Sequence, residues 1–303
     1  MKKLFYLFTI LFAVLFAACD NGQPEGPSGD ANVPENPSNP NDPSNPEEPS
    51  NPDQPSDPSK PDDNVSFVAK PFSVSATKTV TFSPGNLQYH AANNEWRFAP
   101  NQTDYIGDDN ANISSTYNGW IDLFGWGTGN NPTNVSLDYE DYPTFVDWGV
   151  NKIGSWALNS WRTLTYEEWN YIINERSNAS NLIGVAQVNG VNGLILLPDD
   201  WTCPSGVTFK SGFDDDDCTE CYANYQTFSK SDWSKLEVSG AVFFPAAGFR
   251  YGSGVHGVQN YGYYWSATEV DSDDAGSLLF ASHEANVYGN LRYYGHSVRL
   301  VQD

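Results

Sequence analysis

The sequence Tyr264-Trp265-Ser266-Ala267-Thr268 lies between two segments that are rich in glycine and polar residues. Adjacent aromatic residues in a short run bounded by turn-forming residues are typical of a β-strand, so we predict a strand over residues 264–266. The chain closes on a similar run, Ser297-Val298-Arg299-Leu300-Val301, which predicts a strand over residues 298–301. A third strand is predicted over residues 277–280, so we expect short strands and turns in this part of the chain.

Upstream of these strands the pattern indicates helices as well. Thr165-Tyr166-Glu167-Glu168 has the form of a capping box, and apolar residues follow it at helical spacing. Ser229 is placed to begin a second, shorter helix that ends at Gly240. Between the two helices, residues 185–188 and 194–197 flank two Asn-Gly pairs, a pattern typical of a β-hairpin.

Short apolar runs elsewhere predict more strands and complete the fold class. These strands are expected over residues 80–82, 87–89, 96–98 and 241–244. We therefore predict an α+β domain with short antiparallel strands, two main helices and long irregular loops, in which aromatic side chains pin much of the irregular backbone.

Seven phrases of the sequence resemble the Fibrobacter-type major paralogous domain, which is common in surface lipoproteins of Bacteroides-like bacteria. The phrases lie at residues 81–89, 120–127, 161–165, 194–198, 244–250, 264–268 and 297–301, and the spacing of the last two is the most specific. That domain is similar to the C-type-lectin and formylglycine-generating-enzyme fold. The resemblance implies a single C-type-lectin-like domain over residues 65–303, with ends that meet as neighbouring strands, and it implies no catalysis.

The last 54 residues also resemble the variable region of proteins that are diversified by a diversity-generating retroelement. Residues 251–264 and 282–296 mix Tyr, Ser, Asn, Gly and His, as antibody paratopes do, and tyrosine offers contact area at low entropy cost. The alternative is that these tyrosines seal the loops of an aromatic-rich domain. The predicted ligand-binding residues are Tyr251, Ser253, His256, Gln259, Asn260, Tyr261, Tyr263, His283, Asn286, Tyr288, Asn290, Arg292, Tyr293 and Tyr294.

The first residues have the features of a bacterial lipoprotein signal peptide. A basic start, an apolar run that ends at Phe16, and Ala17-Ala18-Cys19 predict a secretory signal over residues 1–18. The apolar run is shorter than the roughly 20 residues that a membrane-spanning helix needs. The segment resembles the lipoprotein box, which implies that Cys19 is lipidated. We expect a lipid anchor in the outer membrane, with the protein facing the cell surface or the periplasm.

Residues 19–64 form a Pro-rich linker in which a proline recurs at every third position from Pro34 to Pro61. This period matches a polyproline II helix, so we expect an extended, disordered spacer. Beyond it, residues 65–303 hold all ten tryptophans, with 27 acidic residues against 12 basic ones. Because such an acidic domain repels phosphate backbones, nucleic acid is excluded as a partner.

Three cysteines remain in the domain, which is an odd number for a secreted protein. Cys218 and Cys221 have the CxxC spacing, but no second CxxC or histidine pair accompanies them. Two pairings are open: a local staple between these two cysteines, or a bridge from Cys203 to one of them.

The sequence offers no pattern for catalysis or for a cofactor. His90, His256, His283 and His296 are scattered, and no nucleophile-elbow phrase is present. The acidic runs at residues 214–217 and 271–274 contain oxygen ligands suited to calcium, but they lack EF-hand spacing. We therefore predict solvated acidic loops, no metal site, no cofactor and no enzymatic activity.

These observations predict a non-catalytic, surface-displayed adhesion lipoprotein. Its Tyr-rich loops, residues 251–264 and 282–296, would bind an unidentified protein or glycan ligand, with hypervariable positions if the retroelement resemblance holds. The alternative is a structural or assembly component of the envelope or of a fimbria-like appendage, for which a long unpaired edge strand would be the distinguishing feature.

Overall fold

The first and last strands of residues 68–303, the part of the chain that the computed structural model describes, pair with the same neighbouring strand. Strand β2 (Thr79–Phe82) pairs with β1 (Phe72–Ser73) on one side and with β15 (Val301–Gln302) on the other. The described residues belong to one compact unit of the chain. The predicted signal peptide, the lipidated Cys19 and the Pro-rich linker of residues 19–64 lie outside the described residues.

The other strands of the described region form four further small sheets. These strands are β3 (Leu87–His90), β4 (Glu95–Phe98), β5 (Trp120–Ile121), β6 (Ile183–Val188), β7 (Val191–Leu196), β8 (Thr227–Phe228), β9 (Val242–Pro245), β10 (Phe249–Tyr251), β11 (Gly254–His256), β12 (Gly262–Glu269), β13 (Asp274–Ala281) and β14 (Glu284–Leu291). Their orders are β4-β3-β5, β8-β6-β7-β9, β10-β11 and β12-β13-β14, and all pairs are antiparallel except β6 with β8.

Helices are few and short in the described region. They are α1 (Tyr166–Asn170) with a π turn (Tyr171–Glu175), α2 (Cys221–Tyr225), α3 (Lys230–Val238), and 3₁₀ turns at Ala91–Asn93, Gly107–Asn112, Tyr139–Asp141, Trp148–Val150 and Ala179–Asn181. Helices mixed with several small, mostly antiparallel sheets confirm the predicted α+β class. The short α2 lacks a capping side chain, and the sequence pattern did not predict it.

Both predicted helix starts are confirmed by capping hydrogen bonds. The backbone N–H of Glu168 donates to the Thr165 hydroxyl, and the Thr165 N–H donates to the Glu168 carboxylate, which together form the capping box. At α3, the hydroxyl of Ser229 accepts from a backbone N–H of the first turn. The predicted hairpin is also confirmed: β6 and β7 are joined by Asn189-Gly190, and both residues have positive φ.

The centre of the fold is an aromatic core formed by α1 together with β1, β2, β6, β7, β9 and β12–β14. The rings of Phe82, Trp169 and Phe244 contact one another at centroid distances of 5.4–5.9 Å. Tyr264, the first residue of the Tyr264–Thr268 stretch, lies edge-on to Phe244 at 5.1 Å. The core therefore joins the helix, the four-stranded sheet and the C-terminal sheet.

A buried arginine connects the last segment of the chain to the rest of the domain. Arg299 is 1% exposed, and its guanidinium donates to the side-chain oxygens of Asn86 at 3.3 Å and Gln102 at 2.7 Å. The Gln102 oxygen also accepts from the backbone N–H of Phe243 in β9. The Asn86 amide donates to the Tyr264 hydroxyl. We call Arg299, Asn86, Gln102 and Tyr264 the arginine hub.

The strand predicted over residues 298–301 is wrong in extent. Only Val301 and Gln302 pair as a strand. The carbonyls of Val298 and Leu300 instead accept single bonds from residues 87 and 83. The segment that faces them contains Pro84, which has no N–H to donate, so a continuous ladder does not form.

Removal of the Arg299 side chain is expected to destabilise the domain. Arg299→Ala leaves the buried oxygens of Asn86 and Gln102 without their charged donor, so we expect a loss of about 3 kcal/mol in the free energy of unfolding. Urea titration of the variant measures this loss. The exposed Lys152 provides the control, and a loss no larger than that of Lys152→Ala would contradict the role of the hub.

A second buried charged group, Asp122, fixes the segment before β5. Its carboxylate accepts from the backbone N–H of Ile106 at 2.9 Å and from the Asn110 amide at 2.8 Å. Burial raises the pKa of Asp122 to about 6, although these hydrogen bonds lower it. The carboxyl is fully buried, so the proton is retained in the folded protein at a pH where the unfolded chain releases it.

The Asp122 carboxyl is expected to make stability depend on pH. Since its unfolded pKa is near 4, its contribution is complete below about pH 4 and is lost as the pH rises through about 6. Urea titrations at several pH values should show wild type losing about 3 kcal/mol relative to Asp122→Asn between pH 4 and 7. A constant difference between the two proteins over this range would refute the assignment.

Candidate functional site

The outer side of the C-terminal sheet brings together side chains from both predicted ligand-binding segments. Tyr263 on β12 pairs with Leu279 on β13, which pairs with Asn286 on β14, so the three side chains share one side of the sheet. Tyr264 and Leu278, one position away, point to the other side and are buried in the core. Residues 251–264 and 282–296 therefore meet in space.

Strand β14 corrects the prediction that residues 282–296 form an irregular loop. Glu284–Leu291 is a regular strand of eight residues, paired along its length with β13. Ala285 and Val287 are buried, whereas Asn286 and Tyr288 lie on the outer side. This two-residue alternation marks a half-buried strand, and it is visible in the sequence. Half of the segment 251–264 is also strand, since it contains the end of β10, all of β11 and the start of β12.

The hairpin of β10 and β11 is held next to this sheet by a glycine. Gly248 has φ +72°, and a Cβ there would lie 2.2 Å from the carbonyl oxygen of His256. The backbone N–H of Gly248 donates to the carbonyl of Tyr261, just before β12. Only glycine allows this approach, and it places Tyr251, at the end of β10, beside the sheet.

Five of the predicted tyrosines form one aromatic surface with Phe249 at its centre. The ring of Phe249 lies 5.3 Å from Tyr263 and 5.4 Å from Tyr294. Tyr251 contacts Tyr294 at 5.8 Å and Tyr293 at 6.0 Å. We call this group the tyrosine face: Tyr251, Tyr261, Tyr263, Tyr293 and Tyr294.

A buried histidine lies directly beneath the tyrosine face. The ring of His296 stacks on Trp265 at 4.0 Å and on Tyr263 at 4.9 Å, and it is completely buried. Burial and the nearby Arg250 guanidinium lower the pKa of His296 well below its ordinary value, so the ring is neutral at physiological pH. Neither ring nitrogen has a hydrogen-bond partner among residues 68–303. The face thus rests on a stacked aromatic layer.

The tyrosines of the face differ in depth. Tyr251 is 45% exposed, and its hydroxyl and those of Tyr293 and Tyr294 have no hydrogen-bond partner among the described residues. Burial raises the pKa of Tyr263, which packs between Phe249 and the histidine below. The outer tyrosines are therefore available for contacts, whereas Tyr263 also supports the fold.

Arg292 corrects one of the predicted ligand-binding residues. It is 3% exposed, its guanidinium lies 4.7 Å from the centre of the Trp126 ring, and it forms a 2.8 Å ion pair with Glu269. Its backbone carbonyl accepts from the N–H of Trp126. A buried arginine needs both an ion-pair partner and a ring to stack on, and Arg292 finds both within the protein. Its guanidinium is therefore not available to a ligand.

Gln259 and Asn260 are also occupied within the domain. The Gln259 side chain accepts from the backbone N–H of Asn192 at 2.7 Å and donates to the Tyr105 hydroxyl at 2.7 Å. The carbonyl of Asn260 accepts from the hydroxyl of Tyr222. These bonds hold the turn before β12, so both residues position the tyrosine face from below.

The remaining predicted residues border the tyrosine face. Ser253 and His256 are exposed on the β10–β11 hairpin. On β14, the Asn286 amide and the Tyr288 hydroxyl both donate to the Glu284 carboxylate, at 2.9 and 3.2 Å. Asn290 donates to the hydroxyl of Ser277, and His283 is half-buried at the β13–β14 turn.

The acidic loop of residues 214–217 borders the tyrosine face at Tyr261. Cys218 and Cys221 form a disulfide, which settles the open pairing, and Cys203 is free and exposed. The Tyr261 hydroxyl donates to the Asp217 carboxylate at 3.0 Å. The buried Ser282 hydroxyl accepts from the Cys218 N–H at 3.2 Å. The loop is therefore held at both the disulfide and the β13–β14 turn.

A further flank of the site was not predicted from the sequence. Leu137, Val135 and Tyr139 are large apolar or aromatic side chains that are at least 38% exposed. A side-chain carbon added at Gly252 would contact Leu137 at 3.8 Å, so this segment adjoins the hairpin that carries Tyr251. Behind it a cavity of about 210 Å³ is lined by polar residues that include Asn131 and Asp141. The sequence signal for this flank is an apolar or aromatic residue at every second position from Val135 to Tyr139.

Within residues 68–303, no group of three or more His, Cys, Asp or Glu side chains is arranged to hold a metal ion. No helix in that range has the length and apolar character needed to cross a bilayer.

Comparisons with known proteins bear on this C-terminal region alone. A family model described as a domain of unknown function (DUF8237) matches residues 222–301. The match starts within α2 and includes the tyrosine face and the sheet of β12–β14. No curated protein matches the chain. No solved structure matches it either.

Because the tyrosines are buried to different depths, replacing each with alanine should lower the free energy of unfolding by a different amount. Tyr251→Ala is expected to lower the free energy of unfolding by about 1 kcal/mol or less, whereas Tyr264→Ala, in the core, should cost about 4 kcal/mol. Tyr263→Ala should fall between them, because its ring supports Phe249 and His296. Thermal and urea unfolding measure all three. If Tyr251→Ala costs as much as Tyr264→Ala, the outer tyrosines are core residues.

Proposed function

We propose that this protein is a non-catalytic, surface-displayed adhesion lipoprotein whose tyrosine face binds a ligand. The proposal includes a C-type-lectin-like domain, a lipid anchor at Cys19 in the outer membrane and a Pro-rich linker between them. The observation that carries the binding proposal is the convergence of Tyr251, Tyr293 and Tyr294, from two separate segments, on one partly exposed surface.

The physical character of this surface suits recognition. Tyrosine buries a large area with few rotatable bonds, and a free hydroxyl adds a hydrogen bond at the rim of each contact. The stacked Trp265 and His296 layer fixes the inner rings before a ligand arrives. A pre-organised surface lowers the entropic cost of binding. The retroelement resemblance would make the exposed positions of this surface the hypervariable ones.

One observation favours the alternative of an assembly role. β14 is an edge strand of its sheet and is eight residues long, which is a template for pairing with a strand of another chain. Its edge is partly covered, because the hydroxyl of Tyr166 donates to the carbonyl of Val287. Light scattering of the purified chain over a range of concentrations distinguishes the two roles, since strand-mediated assembly would give growing polymers.

The binding proposal is tested by selecting ligands from a random-peptide display library and a glycan array with the whole chain. Selected binders should lose at least tenfold in affinity for the variant Tyr251→Ala/Tyr293→Ala, which removes about 2–3 kcal/mol of contact at hot-spot positions. The melting temperature should stay nearly unchanged, because both rings lie on the surface.

The control removes a different exposed apolar pair, Trp156→Ala/Leu158→Ala, which are 43% and 60% exposed. Binders should retain their affinity for that variant. The proposal fails if neither collection yields a binder, or if the binders respond to both variants alike.

A further inference from the structure

The charged side chains of residues 241–303, the segment that carries the tyrosine face, are mainly acidic. Residues 241–303 contain three basic side chains, Arg250, Arg292 and Arg299, besides the two histidines at 256 and 283 and the buried His296. The three arginines are 0%, 3% and 1% exposed, and their guanidinium groups donate to oxygens inside the protein. No lysine or arginine of this segment therefore reaches solvent at the face.

A first group of carboxylates borders the face at the β13–β14 turn. Asp217 accepts from the Tyr261 hydroxyl at 3.0 Å and lies 3.6 Å from the His283 ring. Glu284 lies 3.7 Å from the other nitrogen of the same ring and accepts from the Tyr288 hydroxyl. Both carboxylates raise the pKa of Tyr263 after burial and its tyrosine neighbours, so their field reaches the centre of the face.

A second group of carboxylates borders the opposite strand end, at the β12–β13 turn. Asp273 and Asp274 raise the pKa of Tyr293, although burial and its tyrosine neighbours contribute more. Asp271 accepts from the backbone N–H groups of both residues, which fixes the shape of the turn. Arg292 forms an ion pair with Glu269 there, and its charge also lowers the pKa of Asp271 and Asp274, so it offsets part of the negative charge of this turn. The tyrosine face thus lies between two acidic rims.

The first rim is held in place before any ligand binds. The Ser282 hydroxyl donates to the carbonyl of Asp216 at 2.7 Å, and the Asp214 N–H donates to the carbonyl of Ser282 at 2.8 Å. The Cys218–Cys221 disulfide closes the turn that directly follows Asp217. An acidic run that served only solubility would need no such attachment. The ordered position keeps Asp217 beside Tyr261.

Extending the proposed function, on which this inference rests, we propose that the tyrosine face binds a lysine- or arginine-rich segment of a partner protein. A guanidinium or ammonium group stacks on the exposed ring of Tyr251 or on the half-buried ring of Tyr293, while neighbouring basic residues pair with the carboxylates of the two rims. Cations are attracted to the faces of aromatic rings, and arginine both stacks and pairs with carboxylate oxygens. The rims also attract a basic segment from a distance at low salt.

The test uses fluorescein-labelled twelve-residue peptides of alternating Arg-Gly, Glu-Gly and Ser-Gly, followed by fluorescence anisotropy with the whole chain. The Arg-Gly peptide should bind at least tenfold more tightly than the other two. Its affinity should fall at least tenfold when the ionic strength rises from about 0.01 to about 0.1 M, because exposed ion pairs are screened.

Two charge-matched variants separate local binding from the overall negative charge. The rim variant Asp217→Asn/Asp273→Asn/Glu284→Gln should bind the Arg-Gly peptide at least tenfold more weakly. The distant variant Glu95→Gln/Glu175→Gln/Asp200→Asn removes the same charge and should bind as wild type does. Equal weakening by the two variants would show non-specific attraction and would overturn the inference.

The experiments distinguish a failure of the charge inference from a failure of the proposed binding function. If library or array binders depend on Tyr251 and Tyr293 but are not basic, or bind the rim variant unchanged, the charge inference is wrong and the binding function stands. If no binder depends on these tyrosines, both are wrong. A glycan whose binding requires these tyrosines would likewise contradict the inference of a basic segment and would leave the binding function standing.

Discussion

The Arg299 guanidinium, buried without a direct carboxylate partner among residues 68–303, is the constraint on which the arrangement of the domain depends. Its charge is solvated by the side-chain oxygens of Asn86 and Gln102 instead of water. A buried cation tolerates this only when the oxygens are held in position, because its desolvation is costly. Gln102 is held by Glu237 of α3 and by the backbone of β9, and Asn86 is held by Tyr264. The early segment, the helix and both large sheets are therefore fixed around one side chain.

This constraint extends to the surface through the alternation of β12. Tyr264 points into the arginine hub, while its neighbour Tyr263 points outward and packs on Phe249. Trp265, two residues after Tyr263, points to the same side of the strand as Tyr263, and its ring stacks on His296. The backbone that anchors the core also sets the spacing of the outer rings. The tyrosine face is thus a rigid aromatic layer, in which only the outermost rings are free to adapt.

Patterns of neighbouring residues predicted much of the fold. They failed where contacts between residues far apart in the chain determine the structure. The capping box at Thr165 and the Asn-Gly turn of β6–β7 depend on neighbouring residues, so both could be predicted. β14 was predicted to be a loop from its tyrosine and asparagine content, whereas burial alternates along its first half in the structure. The burial of Arg292 depends on Trp126, far away in the chain, which no local pattern reveals. The five tyrosines were predicted from composition, but their convergence required the pairing of β12 with β13 and β14.

The pairing of β1 and β15 with the same strand has a consequence for how the domain can be combined with others. Since neighbouring strands lie about 4.8 Å apart, the two ends leave the domain roughly 10 Å from each other. A module with such adjacent ends can be inserted into a surface loop of an unrelated protein without separating the flanking residues of its host. It can equally be circularly permuted through a short linker, with new termini opened at an exposed turn.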